Sequence, residues 1–128
     1  MKKKIYIGLS LDIIHHGHIN LINKAKKLGN VTVGLYTDKA VTSHKRIPLL
    51  DYDQRKVILQ NIQGVNKIVS QNEWDYTKNI LKYKPDIMVH GDDWKSDNVG
   101  KILRSNAIKA LKKIGGRLIE IPHTKNIS

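Results

Sequence analysis

Cysteine and phenylalanine are both absent from this chain of 128 residues, which also has only two tryptophans and three prolines. Without cysteine there is no disulfide framework and no thiolate to act as nucleophile or metal ligand. Without phenylalanine, and with aromatic residues at 5%, the chain lacks the stripe of rings on which single-stranded nucleic acid stacks. No apolar run approaches the roughly 20 residues of a membrane span. The stretch Ile5-Tyr6-Ile7-Gly8-Leu9 behind the basic N-terminus is too short for the apolar region of a signal peptide. No linker, internal repeat or low-complexity segment interrupts the chain. These absences predict one cytoplasmic domain over residues 1–128, long enough to bury about two-thirds of its unfolded surface.

Acidic residues are also scarce. Lys and Arg number 23 against 11 Asp and Glu, giving a formal net charge of +12. Such a field attracts anions: nucleotides, phosphorylated metabolites, nucleic acid or an acidic protein. The lysines are spread along the chain, and most read as solvated surface. A nucleic-acid-binding module rests on charge alone, and without stacking rings we expect neither nucleic acid nor membrane as partner.

The order of elements is legible from periodicity. Residues 4–9 read as a buried strand and 17–28 as a helix, with Ile19, Leu21, Ile22, Ala25 and Leu28 at helical spacing and Gly29-Asn30 as its stop. Residues 31–36 read as a strand rich in β-branched side chains. Residues 38–50, with Pro48 and no clear period, read as a loop. Asp51 is placed to cap a helix reaching about Ile62. Strand 65–69, helix 75–83, strand 86–90, helix 98–114 and strand 118–121 follow. This alternation predicts an α/β fold: a Rossmann-like, open, parallel, five-stranded sheet with helices on both faces, three layers deep. Ligands of such sheets sit beyond the carboxyl ends of the strands.

The segment Ser10-Leu11-Asp12-Ile13-Ile14-His15-His16-Gly17-His18 falls where the first strand passes to the first helix. A helix start offers unpaired N–H groups and partial positive charge to a phosphate. Gly17 removes a side chain where a ligand comes close. His15 and His18, three apart, can point the same way and donate to phosphoryl oxygens. The same histidines could share a transition metal, but one turn is cramped and no cysteine completes a zinc set.

His15-His16-Gly17-His18 resembles the HxGH motif of the nucleotidyltransferase superfamily. The stretch from Gly8 to Gly29 is similar to the cytidylyltransferase branch, which includes glycerol-3-phosphate cytidylyltransferase. Gly8 to His15 also resembles the cytidylyltransferase-like domain joined to phosphoenolpyruvate mutase. Further matches are His90-Gly91-Asp92-Asp93-Trp94, Trp74, the basic loop His44-Lys45-Arg46, and Arg55 at the next helix start. The resemblance implies transfer of CMP from CTP to a phosphate- or phosphonate-bearing small molecule, such as glycerol 3-phosphate or an aminoalkylphosphonate. It implies Mg2+ with the triphosphate and a homodimer.

Residue by residue, it implies catalytic roles for His15, His18, Lys45 and Arg55. It sets Ser10, Leu11, Asp12, His15, Gly17, His18, Arg46, Gly91, Asp92 and Asp93 around the nucleotide. It sets Asp12, Asp38, Lys45 and Trp74 around the acceptor. The family closes with a segment of the form RTEGISTT, and here the matching positions are His123, Thr124, Lys125, Asn126, Ile127 and Ser128. Of these, His123, Thr124, Ile127 and Ser128 are implied nucleotide contacts. Histidine in place of arginine, asparagine in place of glycine, and the missing last threonines predict weaker triphosphate binding. They keep open a second reading, a non-catalytic nucleotide-binding domain cut from a larger enzyme. Arg104 and Arg117 match nothing and read as surface.

Overall fold

The computed structural model describes residues 2–11, 16–43 and 49–122. Its strands are β1 (Lys3–Leu9), β2 (Gly29–Tyr36), β3 (Val65–Gln71), β4 (Ile87–Gly91) and β5 (Arg117–Ile121). Its helices are α1 (His16–Lys26), α2 (Asp38–Thr42), α3 (Tyr52–Gln60), α4 (Thr77–Tyr83) and α5 (Asn98–Ile114), with a 3₁₀ turn at Asp92–Ser96. The strands pair in parallel in the order β3-β2-β1-β4-β5. The predicted five-stranded sheet is therefore present, and predicted element ends lie within about two residues of those observed. α5 coincides with the predicted 98–114.

Both faces of the central strands are covered, which is why β1 and β2 read as nearly continuous apolar runs. Successive side chains of a strand point to opposite faces. On one face Ile5, Ile7, Val31, Val33, Leu35 and Val89 pack with Ile22 and Ala25 of α1 and Leu59 of α3. On the other, Tyr6 and Met88 pack with Val41 of α2, Ile80 of α4, and Ala107, Ala110 and Leu111 of α5. Both layers are dry and aliphatic near the middle of the sheet.

Toward the carboxyl ends of the strands the second layer becomes aromatic. Gly8 and Gly34 are partners in the β1–β2 register. A Cβ on Gly8 would lie 2.3 Å from the Tyr76 ring, and one on Gly34 would lie 1.8 Å from the Tyr6 hydroxyl. The paired glycines form a trough that seats two tyrosines. Their hydroxyls are satisfied: Tyr6 donates to Gln71 Oε1 and accepts from Asn79 at 2.9 Å, and Tyr36 donates to Tyr76 at 2.6 Å. Burial pushes the Tyr6 and Tyr36 phenols upward and Tyr76 to about 12, so all three stay neutral. Gly34→Ala is expected to cost about 1–3 kcal/mol through forced displacement of Tyr6. A lower denaturant midpoint at unchanged slope would show it.

Two elements differ from expectation. Part of the stretch expected as loop forms α2, capped by Thr37 Oγ1, which accepts from Ala40 N at 3.2 Å. Five residues hold little more than one turn, too few for a period to show. The 3₁₀ turn after β4 is equally short. Asp51 caps α3 as predicted, in a reciprocal pair: its carboxylate accepts from Gln54 N at 2.9 Å, and Gln54 Oε1 accepts from Asp51 N at 3.0 Å.

Candidate active site

The chain leaves β1 toward β2 on one side and leaves β4 toward β5 on the other. A crevice therefore opens between β1 and β4 at their carboxyl ends. The first turn of α1 and the turn Gly91-Asp92-Asp93 both border it by connectivity. His16, Gly17 and His18 make up that first turn, which contains no acidic residue. His16 is exposed and His18 half-buried. The placement suits an anion received by N–H groups and imidazole. Asp12 and His15, Lys45 and Arg46, and the tail positions His123, Thr124, Ile127 and Ser128 lie outside the described residues.

Leu11, the last described residue before α1, has φ 53°. A branched aliphatic side chain rarely enters this left-handed region, and holding it there costs of the order of 1–3 kcal/mol. Its side chain is buried among Ile7, Leu9 and Ile22. Its side chain anchors the turn, so the nucleotide contact expected of Leu11 falls to its backbone. The Ser10 carbonyl is likewise engaged, accepting from Arg55 Nη1 at 2.6 Å.

Arg55, expected among the groups that hold phosphate, is fully buried. Its Nε donates to Leu50 O at 3.1 Å, its Nη1 to Ser10 O and Tyr36 O at 2.6 and 2.7 Å, and its Nη2 to Asp38 Oδ1 at 2.6 Å. One guanidinium thus ties the carboxyl ends of β1 and β2 to the start of α2 and the segment before α3. Its planar fork meets carbonyl oxygens where the sequence suggested phosphate oxygens. Asp38, expected at the acceptor, is the first residue of α2, half-exposed and held by this bond.

Beyond the carboxyl ends of β2 and β4, on the α4/α5 side, lies a cleft of about 590 Å³. Tyr36, Trp74, Tyr76, His90 and Trp94 form its aromatic walls; Asp93, Asp97 and Asn98 are its polar lining. Trp74 donates its indole N–H to Ala40 O and meets Tyr36 edge to face at 4.9 Å. His90 and Trp94 stack at 3.6 Å between centroids and 10° between planes. His90 Nδ1 lies 2.7 Å from Gly91 O, so Nδ1 carries the proton. Burial lowers the His90 pKa, which keeps the ring neutral at pH 7. A Cβ on Gly91 would approach Asp93 Oδ1 to 3.1 Å, so glycine leaves room for that carboxylate beside the turn.

Of the residues that sequence reasoning expected at the site, Trp74 and Asp93 line this cleft. That reasoning passed over Tyr36, Tyr76 and Asp97, because a tyrosine at a strand end and an N-capping aspartate look ordinary in isolation. It also left Arg104 as surface. Arg104 instead forks onto Glu120 at 2.9 and 3.0 Å, and Glu120 also accepts from Trp94 Nε1 at 2.7 Å. The Arg104 guanidinium, with help from Trp94 and Lys95, pulls the Glu120 carboxyl down to about 2. The folded pKa is depressed, so this contact stabilises the fold above the ordinary carboxyl value of 4.5 and is lost as pH falls from there toward 2. Tryptophan emission titrated over that window is expected to change as Trp94 loses its acceptor, and Glu120→Gln is expected to abolish this component.

Among the described residues the positive surplus is not gathered at the crevice. Lys2, Lys3 and Lys4 lead β1, Lys26 and Lys27 end α1, Lys112 and Lys113 end α5, and Arg117 opens β5. All stand at the amino ends of the strands, where Asp86 is the one carboxylate among the described residues. Asp38, Asp51, Asp92, Asp93, Asp97 and Glu120 stand at the other end. Cations at helix C-termini complement the helix dipole. Net charge alone therefore does not describe the field a nucleotide meets at the crevice.

The comparisons with known proteins agree with this geometry. Residues 6–128 match the family described as cytidylyltransferase-like. The chain is 35% identical over 96 residues to glycerol-3-phosphate cytidylyltransferase of Bacillus subtilis strain 168, covering 73% of this chain and 74% of that protein. It is 34% identical over 112 residues to an FAD synthase of Ferroglobus placidus, covering 86% and 73%. The lipopolysaccharide core biosynthesis protein of Thermoplasma volcanium superposes with TM-score 0.76 at 25% identity over 98% of both chains. The chain belongs to the cytidylyltransferase-like family, and by that membership it is an enzyme of the nucleotidyltransferase class. No helix among the described residues is long and apolar enough to cross a membrane.

Proposed function

We propose that this protein transfers CMP from CTP to a phosphate- or phosphonate-bearing small molecule and releases pyrophosphate. One observation carries the reading: Gly17 and His18 lie in the first turn of α1 at the crevice where the strand order reverses, with a cleft of about 590 Å³ at the same end of the sheet. An acceptor oxygen attacks the α-phosphorus of CTP. A new P–O bond forms as the bond from the α-phosphorus to the bridging oxygen breaks, and pyrophosphate leaves with that electron pair. No protein nucleophile is required. The N–H groups at the start of α1 and the imidazole of His18 steady the charge that builds on the phosphoryl oxygens.

The cleft seats the carbon end of the acceptor, with Trp74 as one wall, and Asp38, held by Arg55, keeps the acceptor role the resemblance implies. Asp12, His15, Lys45, Arg46 and the tail positions His123, Thr124, Ile127 and Ser128 keep the roles the resemblance implies. Among the described residues no group of three or more His, Asp or Glu converges to hold a metal. Such a donor set suits a Mg2+ ion bound mainly by the nucleotide's own phosphates and by water. When bound, that ion neutralises triphosphate charge. Asp92 and Asp93 are the described carboxylates placed to meet its water shell.

The test is pyrophosphate release with CTP and Mg2+, run against glycerol 3-phosphate, phosphoethanolamine and 2-aminoethylphosphonate, with ATP in parallel. Release that needs both CTP and one of these acceptors is expected. Equal release with ATP removes the base assignment, and CTP binding without release favours the non-catalytic reading. The homodimer implied by the resemblance is read from the mass in light scattering.

A further inference from the structure

We propose that Glu120 is a positioning residue of the transfer site, setting the cleft wall by holding the Trp94 indole from behind. The proposal rests on the reading of the cleft given above. Glu120 lies on β5 in register with His90 on β4, so both side chains leave the same face of the sheet. Its Oε2 accepts from Trp94 Nε1 at 2.7 Å and Arg104 Nε at 3.0 Å, and its Oε1 from Arg104 Nη2 at 2.9 Å and Lys95 Nζ at 3.3 Å. One carboxylate therefore joins β5, the 3₁₀ turn and α5. The Trp94 indole lines the cleft, while Glu120 and Arg104 line a separate hollow of about 280 Å³.

An exposed Arg–Glu pair contributes little to stability. Here the carboxylate is mostly buried, and its neighbour is an almost fully buried indole whose N–H needs a partner. Remove the acceptor and the indole turns to find another. His90, stacked on the ring, moves with it. A displacement of about 1 Å at such a wall is enough to cost up to roughly 10²-fold in turnover. The acceptor, seated against the indole, feels this before the nucleotide does.

The experiment compares Glu120→Leu and Glu120→Gln with wild type. KM is measured separately for CTP and acceptor, and the Trp94 indole N–H resonance, assigned with Trp94→Phe, is followed by NMR. For Glu120→Leu we expect acceptor KM to rise about 10–100-fold with CTP KM changed by less than about 3-fold. The Trp94 resonance should shift and exchange faster. Glu120→Gln keeps an accepting oxygen and should recover most of both signals. If Glu120→Leu does not fold, Arg104→Met serves, with the same direction and a smaller size. Equal rises in both KM values, or an unmoved Trp94 resonance, overturn the proposal. If wild type releases no pyrophosphate with any acceptor, the functional reading falls instead. The Trp94 resonance and its response to added acceptor then still decide whether Glu120 sets this wall.

Discussion

Alanine in place of His18 is expected to leave the protein folded and to cut pyrophosphate release by at least about 10²–10³-fold. His18 is half-buried in the first turn of α1 and belongs to neither hydrophobic layer, so its removal opens no large cavity. Under the proposed function, what disappears is a donor at the point where charge builds as the α-phosphorus is attacked. A donor that acts more strongly on the transition state than on the bound nucleotide lowers kcat, while CTP affinity changes far less. Circular dichroism and melting close to wild type, CTP binding within a few-fold by calorimetry, and near-zero turnover form the expected pattern. His18→Gln, which restores an N–H donor without the imidazole, should recover a small part of the rate. Near-normal product formation by His18→Ala would remove the assignment of chemistry to this turn.

The two ends of the sheet were not equally legible in the sequence. The five strands could be read because β-branched and aliphatic runs of five to eight residues alternate with helical periods, and Gly29 and Gly115 mark the stops. The first turn of α1 could be read because histidines flanking a glycine at a strand–helix junction have few structural uses. The surroundings of Leu11 and Arg55 were hidden for opposite reasons. Leucine before a helix gives no sign of a left-handed backbone, since its φ is imposed by the turn it must make. Arginine at a helix start near a basic loop suggests a phosphate ligand, yet the carbonyls it meets come from residues 10, 36 and 50 and converge only in the folded state. The Glu120 cluster was hidden likewise: Trp94, Arg104 and Glu120 are far apart in sequence and meet because β4 and β5 are neighbours.

Arg55 is where structure and motif resemblance make opposite predictions, and Arg55→Met separates them. If the guanidinium held a phosphate, its loss would cut turnover and leave stability nearly unchanged. The observed bonding predicts that stability fails first. Methionine fills much of the volume but leaves the carbonyls of Ser10, Tyr36 and Leu50 without the donors they now have. Each unsatisfied buried polar group costs about 1–3 kcal/mol. Allowing for water reaching some of them, the expected loss is about 3–5 kcal/mol, a fall in Tm of roughly 10–20 °C for a domain of this size. Arg55→Lys should recover little, because one ammonium on a flexible stem cannot reach three carbonyls and Asp38 at once. Turnover measured well below the lowered Tm should be reduced, with a rise in acceptor KM as Asp38 loses its tether and the ends of β1 and β2 drift apart. A variant that melts like wild type yet has lost CTP binding would show that Arg55 faces the nucleotide after all.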